Sequence, residues 1–394
     1  MTTVDRKKLV ERTKRVVIKL GTAVLMQDDQ SGIALSRFYS FVESIAALKQ
    51  QGKQVLLVTS GAVGLGAKRL GLGKKPKLLP QKQACAAVGQ GHLMAMYADA
   101  FARFDIITAQ ILVTEEDFSN RQRYLNLRSC IAELLEHGVL PIFNENDAVS
   151  TAELEALKSD ASVKVNFGDN DKLSALVANK TEADLLVILT DVSGLYTGDP
   201  RSDEQAELIS IVEQISPEIE RLADGGKGET AGVGRGGMKT KLSAAKVATQ
   251  SGCAAIIAGG KIPGVIDKVF HGEEVGTLFL PGTTPKGKQR WIAFATTVRA
   301  SVAINEGARN ALVAKKASLL PAGVTEVKGM FDRGDVVSII DADGREFARG
   351  IVNYSSDEAK KISGLHSAAI GEHVEQRNYD ALITRDNIAF LEGQ

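Results

Sequence analysis

An α/β fold, mainly a parallel sheet sandwiched by helices and followed by a small β-rich module, is what this chain of 394 residues predicts. Three observations carry the prediction. Short runs such as Val16–Leu20, Val55–Val58, Val139–Phe143, Leu185–Leu189 and Ala254–Ala258 are almost continuously apolar, the mark of strands buried on both faces. Between them, apolar residues recur at helical spacing, as covering helices require. The alternation then stops near Gly276, ahead of the breaker-rich connector Pro281-Gly282-Thr283-Thr284-Pro285-Lys286-Gly287-Lys288.

In chain order, Val16–Leu20 ends in a glycine turn at Gly21. From Ser36 a stripe of Phe38, Phe41, Val42, Ile45 and Leu48 reads as a helix that stops at Gly52. Val55–Val58 is followed by a glycine-rich turn and a long helical pattern from about Lys82 to Phe104. Ile106–Val113 is strand-like, Tyr124–Glu136 is helical with Gly138 behind it, and Val139–Phe143 is again a strand. Leu185–Leu189, the helix Met238–Ser251 and Ala254–Ala258 complete the alternation. Beyond the connector come only short strands, Val302–Ile304, Val336–Ile340 and Glu346–Tyr354, with little helix and a polar tail after Ile370. The expected division is 1–285 for the α/β domain, 286–370 for the β-rich module and 371–394 for the tail.

The totals narrow the function. Lys+Arg and Asp+Glu are equal at 48 each, so no global charge recruits nucleic acid or membrane. Cys85, Cys130 and Cys253 are far apart and the five histidines are dispersed, which gives neither a disulfide framework nor metal-ligand spacing. No apolar run approaches membrane-spanning length, and Met1–Arg15 does not read as a signal peptide. A soluble, cytoplasmic protein is the expectation.

Chemistry is concentrated between Pro141 and Ala178. Asn144-Glu145-Asn146-Asp147 follows an apolar run, and Phe167-Gly168-Asp169-Asn170-Asp171 precedes a helical pattern. Amides and carboxylates at the exit of a buried strand are costly unless they bind something. Helix capping is the bland use for Asp169 or Asn170 taken singly. Three further loops fall at strand ends, where open parallel sheets bind ligands. Lys19-Leu20-Gly21-Thr22 puts a cation beside exposed backbone, although a lone lysine there can simply snorkel. Thr59-Ser60-Gly61-Ala62-Val63-Gly64-Leu65-Gly66 offers converging N–H groups to an anion, or else a tight structural turn. Thr190-Asp191-Val192-Ser193-Gly194 is placed to line a nucleotide pocket.

Gly232, Gly234 and Gly237 satisfy GxGxxG, but no strand precedes them, so the dinucleotide reading fails, and no GxxxxGK[ST] occurs anywhere. What remains is a glycine loop delivering Lys239 and Lys241 to a helix N-terminus, suited to a polyphosphate. Ser60 lacks the glycine two residues earlier that a hydrolase nucleophile turn needs. Cations and N–H donors for phosphates, with carboxylates and amides for a polar small molecule, suit phosphoryl transfer to an acceptor already ionised. A carboxylate with pKa about 4.3 needs no general base at neutral pH. The task is to hold two anions together and neutralise the transferring group.

With VIKLGTAVL, VTSGAVGLG, PIFNENDAV, FGDNDKLSALVA, LTDVSGLYTGDPR and GVGRGGMKTKLSAAKVA in combination, the chain resembles the glutamate 5-kinases of the amino-acid-kinase superfamily, in the long form with a C-terminal PUA domain. The resemblance runs from about Val16 to the end of the PUA-like module. It implies ATP-dependent phosphorylation of the γ-carboxylate of L-glutamate, the first step toward proline. By the family's pattern Lys19 and Lys241 face the phosphates, and Ser60, Asp147 and Asn170 hold glutamate. Lys19, Thr190, Asp191 and the run Arg235, Gly236, Gly237, Met238, Lys239, Thr240 and Lys241 line the ATP site. In this reading Asp147 meets the α-ammonium, Asn170 and the Ser60 loop donate to the α-carboxylate, and Asp171 holds the two lysines without proton transfer. Mg²⁺ rides on the nucleotide. The resemblance also implies feedback inhibition by L-proline and a homo-oligomer. Two departures stand out: the segment 153–166 is longer than the family's usual link, and Arg235 stands where many members carry a small polar residue.

The rival enzymes are sister kinases acting on N-acetylglutamate, aspartate or carbamate. An amino-group pocket of the kind the NEND and GDND blocks imply would be wasted on an acetylated substrate. A different class, RNA binding through the PUA-like module, is disfavoured by the balanced charge after Lys286.

Overall fold

The computed structural model describes residues 5–29, 32–72, 76–150, 170–200, 203–223, 237–282, 292–293, 298, 300–315, 317–365 and 380–391. The chain divides into two compact units: Met1–Thr114 with Asn126–Thr283, and Glu115–Leu125 with Thr284–Gln394. The boundary expected between 285 and 286 lies outside the described residues, as does the long link 153–166.

The first unit is built on an eight-stranded sheet. Its strands are β1 (Arg15–Leu20), β2 (Gln54–Val58), β3 (Thr108–Val113), β4 (Leu140–Glu145), β5 (Leu185–Thr190), β6 (Ile211–Val212), β7 (Ala254–Gly259) and β8 (Thr277–Phe279). They lie in the order β3-β4-β2-β1-β5-β7-β8-β6. Every pairing from β3 to β7 is parallel. The central strands β1, β5 and β7 are buried almost throughout, because helices cover both faces, and this is why they read as unbroken apolar runs. The Leu35–Gln50 helix lays Phe38, Phe41, Val42, Ile45 and Leu48 on the core and gives way at Gly52, whose φ of +81° suits a glycine. Gly138, at φ +69°, plays the same part after the Arg121–Glu136 helix.

The far edge departs from the parallel pattern. After Gly276 (φ +70°) the chain reverses, and β8 runs antiparallel to β7. A strand of three residues, paired with one of two, is too short for its periodicity to show in sequence.

The second unit carries its own five-stranded sheet. Its strands are β9 (Ser301–Ile304), β10 (Val324–Lys328), β11 (Val336–Ile340), β12 (Glu346–Ile351) and β13 (Ile388–Phe390), in the order β10-β9-β11-β12-β13. Val302, Ile304, Val337, Ile339, Phe347 and Tyr354 fill its core. Three features differ from the sequence reading. Strand β10 was not expected, since Val324 is its one buried residue and no apolar run marks it. Helices Glu306–Lys315 and Ser356–Ile362 pack in this unit, the latter opened by a Ser355/Glu358 capping box. Residues expected in a tail supply β13, which pairs with β12 through Ile388, Ala389 and Phe390. Its apolar run is three residues long, and a polar stretch separates it from the rest of the module.

Candidate active site

The sheet order decides where a ligand can enter. From β1 the chain adds β2, β3 and β4 on one side, then returns to place β5 on the other. The crevice outside the carboxyl ends of β1, β2, β4 and β5 is the switch point of this sheet, and the chemistry-bearing loops leave from it.

Lys19 lies one residue from the end of β1, paired with Val58 of β2 and Ile188 of β5. A lysine inside a strand covered on both faces must meet an anion. Its ammonium does not snorkel: the residue is 5% exposed and Nζ donates to Oδ1 of Asp171. The other oxygen of that fully buried carboxylate accepts from Lys241 Nζ at 3.2 Å and from Thr240 Oγ1 at 3.1 Å. Asp171 stands in the first turn of the Asn170–Lys180 helix and Lys241 in the first turn of the Met238–Gln250 helix, so two electropositive helix ends converge on the trio. Burial pushes the Asp171 carboxyl up, but the Lys19 and Lys241 ammoniums outweigh it and hold it below the ordinary 3.8. Such a carboxylate is a poor proton acceptor and a good anchor. The trio holds two ammoniums and one carboxylate, a surplus of positive charge that matches a phosphoryl group.

On the other side of β1 the site is held by a network of amides and hydroxyls. Asn170 Nδ2 donates to Ser60 Oγ at 2.7 Å, to Thr59 O at 2.9 Å and to Asn144 Oδ1 at 3.0 Å. Asn144 in turn donates from Nδ2 to Gln90 Oε1 at 2.8 Å and accepts the Glu145 N–H at 3.0 Å. An amide group has only two protons, so those of Asn170 are committed to protein. The atom left without a partner among the described residues is its acceptor, Oδ1. Asp147 follows in the turn after β4, closed by Val149 N to Asn146 O at 3.1 Å. Behind Thr59 the hydroxyl of buried Tyr97 lies 2.9 Å from Thr59 Oγ1.

The glycines of the loop after β2 divide by role. Gly61 has φ +104° and opens the Ala62–Arg69 helix without a side-chain cap. Gly66 is a packing glycine instead: a Cβ there would lie 1.7 Å from the carbonyl oxygen of Cys85. Anion approach and helix packing thus share one motif.

Thr190 ends β5, with Oγ1 donating to Asp191 Oδ1 at 3.0 Å and its carbonyl accepting from Gly260 N at 2.7 Å. Asp191 is exposed. Gly237 caps the helix that carries Met238, Lys239, Thr240 and Lys241, of which Lys239 is exposed and Lys241 buried. Arg235 and Gly236 lie outside the described residues, as do Gly232 and Gly234. Among the described residues no group of three or more His, Cys, Asp or Glu side chains could hold a metal, and Asp171 already faces two ammoniums. No helix among them is long and apolar enough to cross a membrane.

Two residues without an assigned role enter the amide cluster, Asn144 and Gln90. Gln90 interrupts a buried helical stripe of Cys85, Ala86, Gly89, Leu93 and Tyr97. A polar side chain on an otherwise apolar face is the signal that marks it.

A model of the amino acid kinase family matches residues 14–259, and a PUA domain model matches residues 300–374. A glutamate 5-kinase of Caldanaerobacter subterraneus subsp. tengcongensis is 45% identical over 96% of this chain and 98% of its own length. Another, from Geobacter sp. (strain M21), is 46% identical over 98% of this chain and all of its own.

Proposed function

Because the chain belongs to the amino acid kinase family, among its glutamate 5-kinases, we propose that it uses ATP to phosphorylate the γ-carboxylate of L-glutamate. The product is L-glutamyl 5-phosphate, the activated acid that opens proline biosynthesis. The observation that carries the residue-level reading is the Lys19–Asp171–Lys241 trio beside the Ser60–Asn144–Asn170 amides.

Glutamate's distal carboxylate is ionised at neutral pH, with pKa about 4.3, so its oxygen bonds to the γ-phosphorus of ATP without a base while the bond to the β-phosphate breaks and ADP leaves. Two anions repel as they approach, and the transferring group carries charge the site must screen. Lys19 and Lys241 supply that screening in a buried setting, where an ammonium acts far more strongly than in water. Asp171 keeps both lysines in place and, with its depressed pKa, takes no proton. The nucleotide side is completed by Thr190, Asp191 and the stretch Gly237–Lys241, with Arg235 and Gly236 assigned there from the motif. Mg²⁺ is assigned to the nucleotide's phosphates, because this ion keeps much of its water and takes few protein ligands beside substrate phosphates.

On the amino-acid side Asp147 pairs with the α-ammonium. The α-carboxylate goes to the backbone N–H groups at Ser60–Gly61, where the Ala62–Arg69 helix begins. Asn170 holds that loop through its amide protons and leaves only an acceptor for a ligand. This differs from a donor role toward the α-carboxylate. A cytoplasmic location, feedback inhibition by L-proline and a homo-oligomer complete the reading. The test is formation of acyl phosphate, trapped as hydroxamate, with ATP and magnesium. L-Glutamate should react well, while N-acetylglutamate and L-aspartate should react poorly. Preference for either of those two would overturn the assignment.

A further inference from the structure

The amide cluster has a direction, fixed by the Glu145 N–H on the Asn144 oxygen and completed by the Gln90 acceptor. A carboxamide can be turned by 180° at little steric cost, but turning it swaps donor for acceptor. Asn144 is fixed by two anchors that agree. Its oxygen takes the Glu145 N–H at 3.0 Å, and its NH₂ finds the Gln90 oxygen at 2.8 Å. With Asn144 so oriented, its oxygen also faces the NH₂ of Asn170 at 3.0 Å, which directs that NH₂ toward Ser60 Oγ and Thr59 O. Without the Gln90 acceptor, the Asn144 NH₂ is a buried donor with nothing to meet, and its rotation would set two NH₂ groups against each other.

Gln90 is unusual as a structural glutamine. It is 7% exposed, yet Nε2 has no partner among the described residues. A buried unsatisfied donor is costly. A side chain kept only for packing would be apolar at this place in the stripe. Its helix also touches the loop helix directly: a Cβ on Gly89 would lie 1.8 Å from Ala62 O and 2.5 Å from Gly66 N. The acceptor and the Ser60 loop are therefore registered to each other through close backbone contacts.

We propose that Gln90 is a positioning residue for the amino-acid substrate, acting through the amides of Asn144 and Asn170 on the Ser60 loop rather than by touching the substrate. This rests on the assignment of that loop to L-glutamate. Full-length wild type, Gln90→Met, Gln90→Glu, Asn170→Ala and the Gln90→Met/Asn170→Ala double variant would be compared for KM of L-glutamate, KM of ATP, kcat and Tm. Gln90→Met keeps the volume but removes the acceptor, and should raise the glutamate KM about tenfold with the ATP KM within about twofold. Gln90→Glu keeps an acceptor and should stay within about threefold of wild type, which decides the matter if the methionine variant does not fold. On Asn170→Ala, Gln90→Met should add less than about twofold, because the group it acts through is gone.

An unchanged glutamate KM in Gln90→Met overturns the proposal. So does an equal rise in both KM values with a lowered Tm, or a full tenfold addition in the double variant. A glutamate KM raised more than about tenfold in Gln90→Glu overturns it as well. Wild type that forms no acyl phosphate from L-glutamate removes the functional assignment and this role together. Active wild type with a silent Gln90→Met removes this role alone.

Discussion

The two sides of β1 solve different problems with different groups. Toward β2 and β4 the site is a network of amides and hydroxyls: Gln90, Asn144 and Asn170 are bonded in series, and Asn170 bonds in turn to Ser60 Oγ and Thr59 O, all within 3.0 Å. Toward the Met238–Gln250 helix it is a cluster of full charges, Lys19, Asp171 and Lys241. Neutral hydrogen bonds are directional and individually worth about 1 kcal/mol, so they define a shape. Buried charges are less directional and far stronger, so they act on charge that appears during reaction. The lesson is a division of labour: the amide side should govern which amino acid binds, and the charged side how fast phosphate moves.

That division can be broken most sharply at Lys241. Lys241→Ala should lower kcat roughly a thousandfold with little change in the glutamate KM. Steady-state kinetics on a variant of normal Tm checks this, and near-normal turnover would abolish the contrast. Asp171→Asn comes next. It leaves two buried ammoniums without their shared anion and should cost about 3 kcal/mol of stability along with about a hundredfold in kcat. The sign with pH follows from the depressed pKa. The carboxylate's contribution is complete above the ordinary value of 3.8 and is lost as pH falls through the lower folded-state value. Denaturation midpoints of wild type and variant should therefore converge only below that pH.

Gly66→Ala should cost about 2 kcal/mol, because its Cβ would collide with the Cys85 carbonyl. Thermal unfolding would show it. Asp147→Asn should raise the glutamate KM about tenfold while kcat changes less, which separates the amide side from the charged side in one measurement. An unchanged KM would move the ammonium pocket elsewhere. The smallest effect is expected at Gly64→Ala, whose nearest neighbour is Met26 Cε at 3.6 Å. There the helix should gain up to about 1 kcal/mol.

How much of this was legible in the sequence depended on whether a residue's neighbours were local. The central strands announced themselves because burial on both faces leaves no room for polar alternation. Strands β6, β8 and β13 did not, since two or three residues carry no period. Lys19 and Asp171 are 152 residues apart, and their meeting was expected from the motifs taken in combination rather than from any local pattern; the crossover of the sheet brings them together. The direction of the Asn170 amide, by contrast, was invisible. It is decided by Asn144 and Gln90, on a strand and a helix far from it in the chain. Glycine was the hardest residue to assign. Gly61 and Gly66 look alike in a motif, yet one answers to its own φ and the other to a neighbouring carbonyl.

That carbonyl has a wider consequence. Where two helices touch backbone to backbone, with Gly66 under Cys85 O and Gly89 under Ala62 O, neither can slide or roll without the other. The two helices therefore behave as a single casting. Transplanting Thr59–Gly66 into a different scaffold would carry the letters of the motif but not its geometry, and the portable unit is the loop together with the helix that bears Gln90.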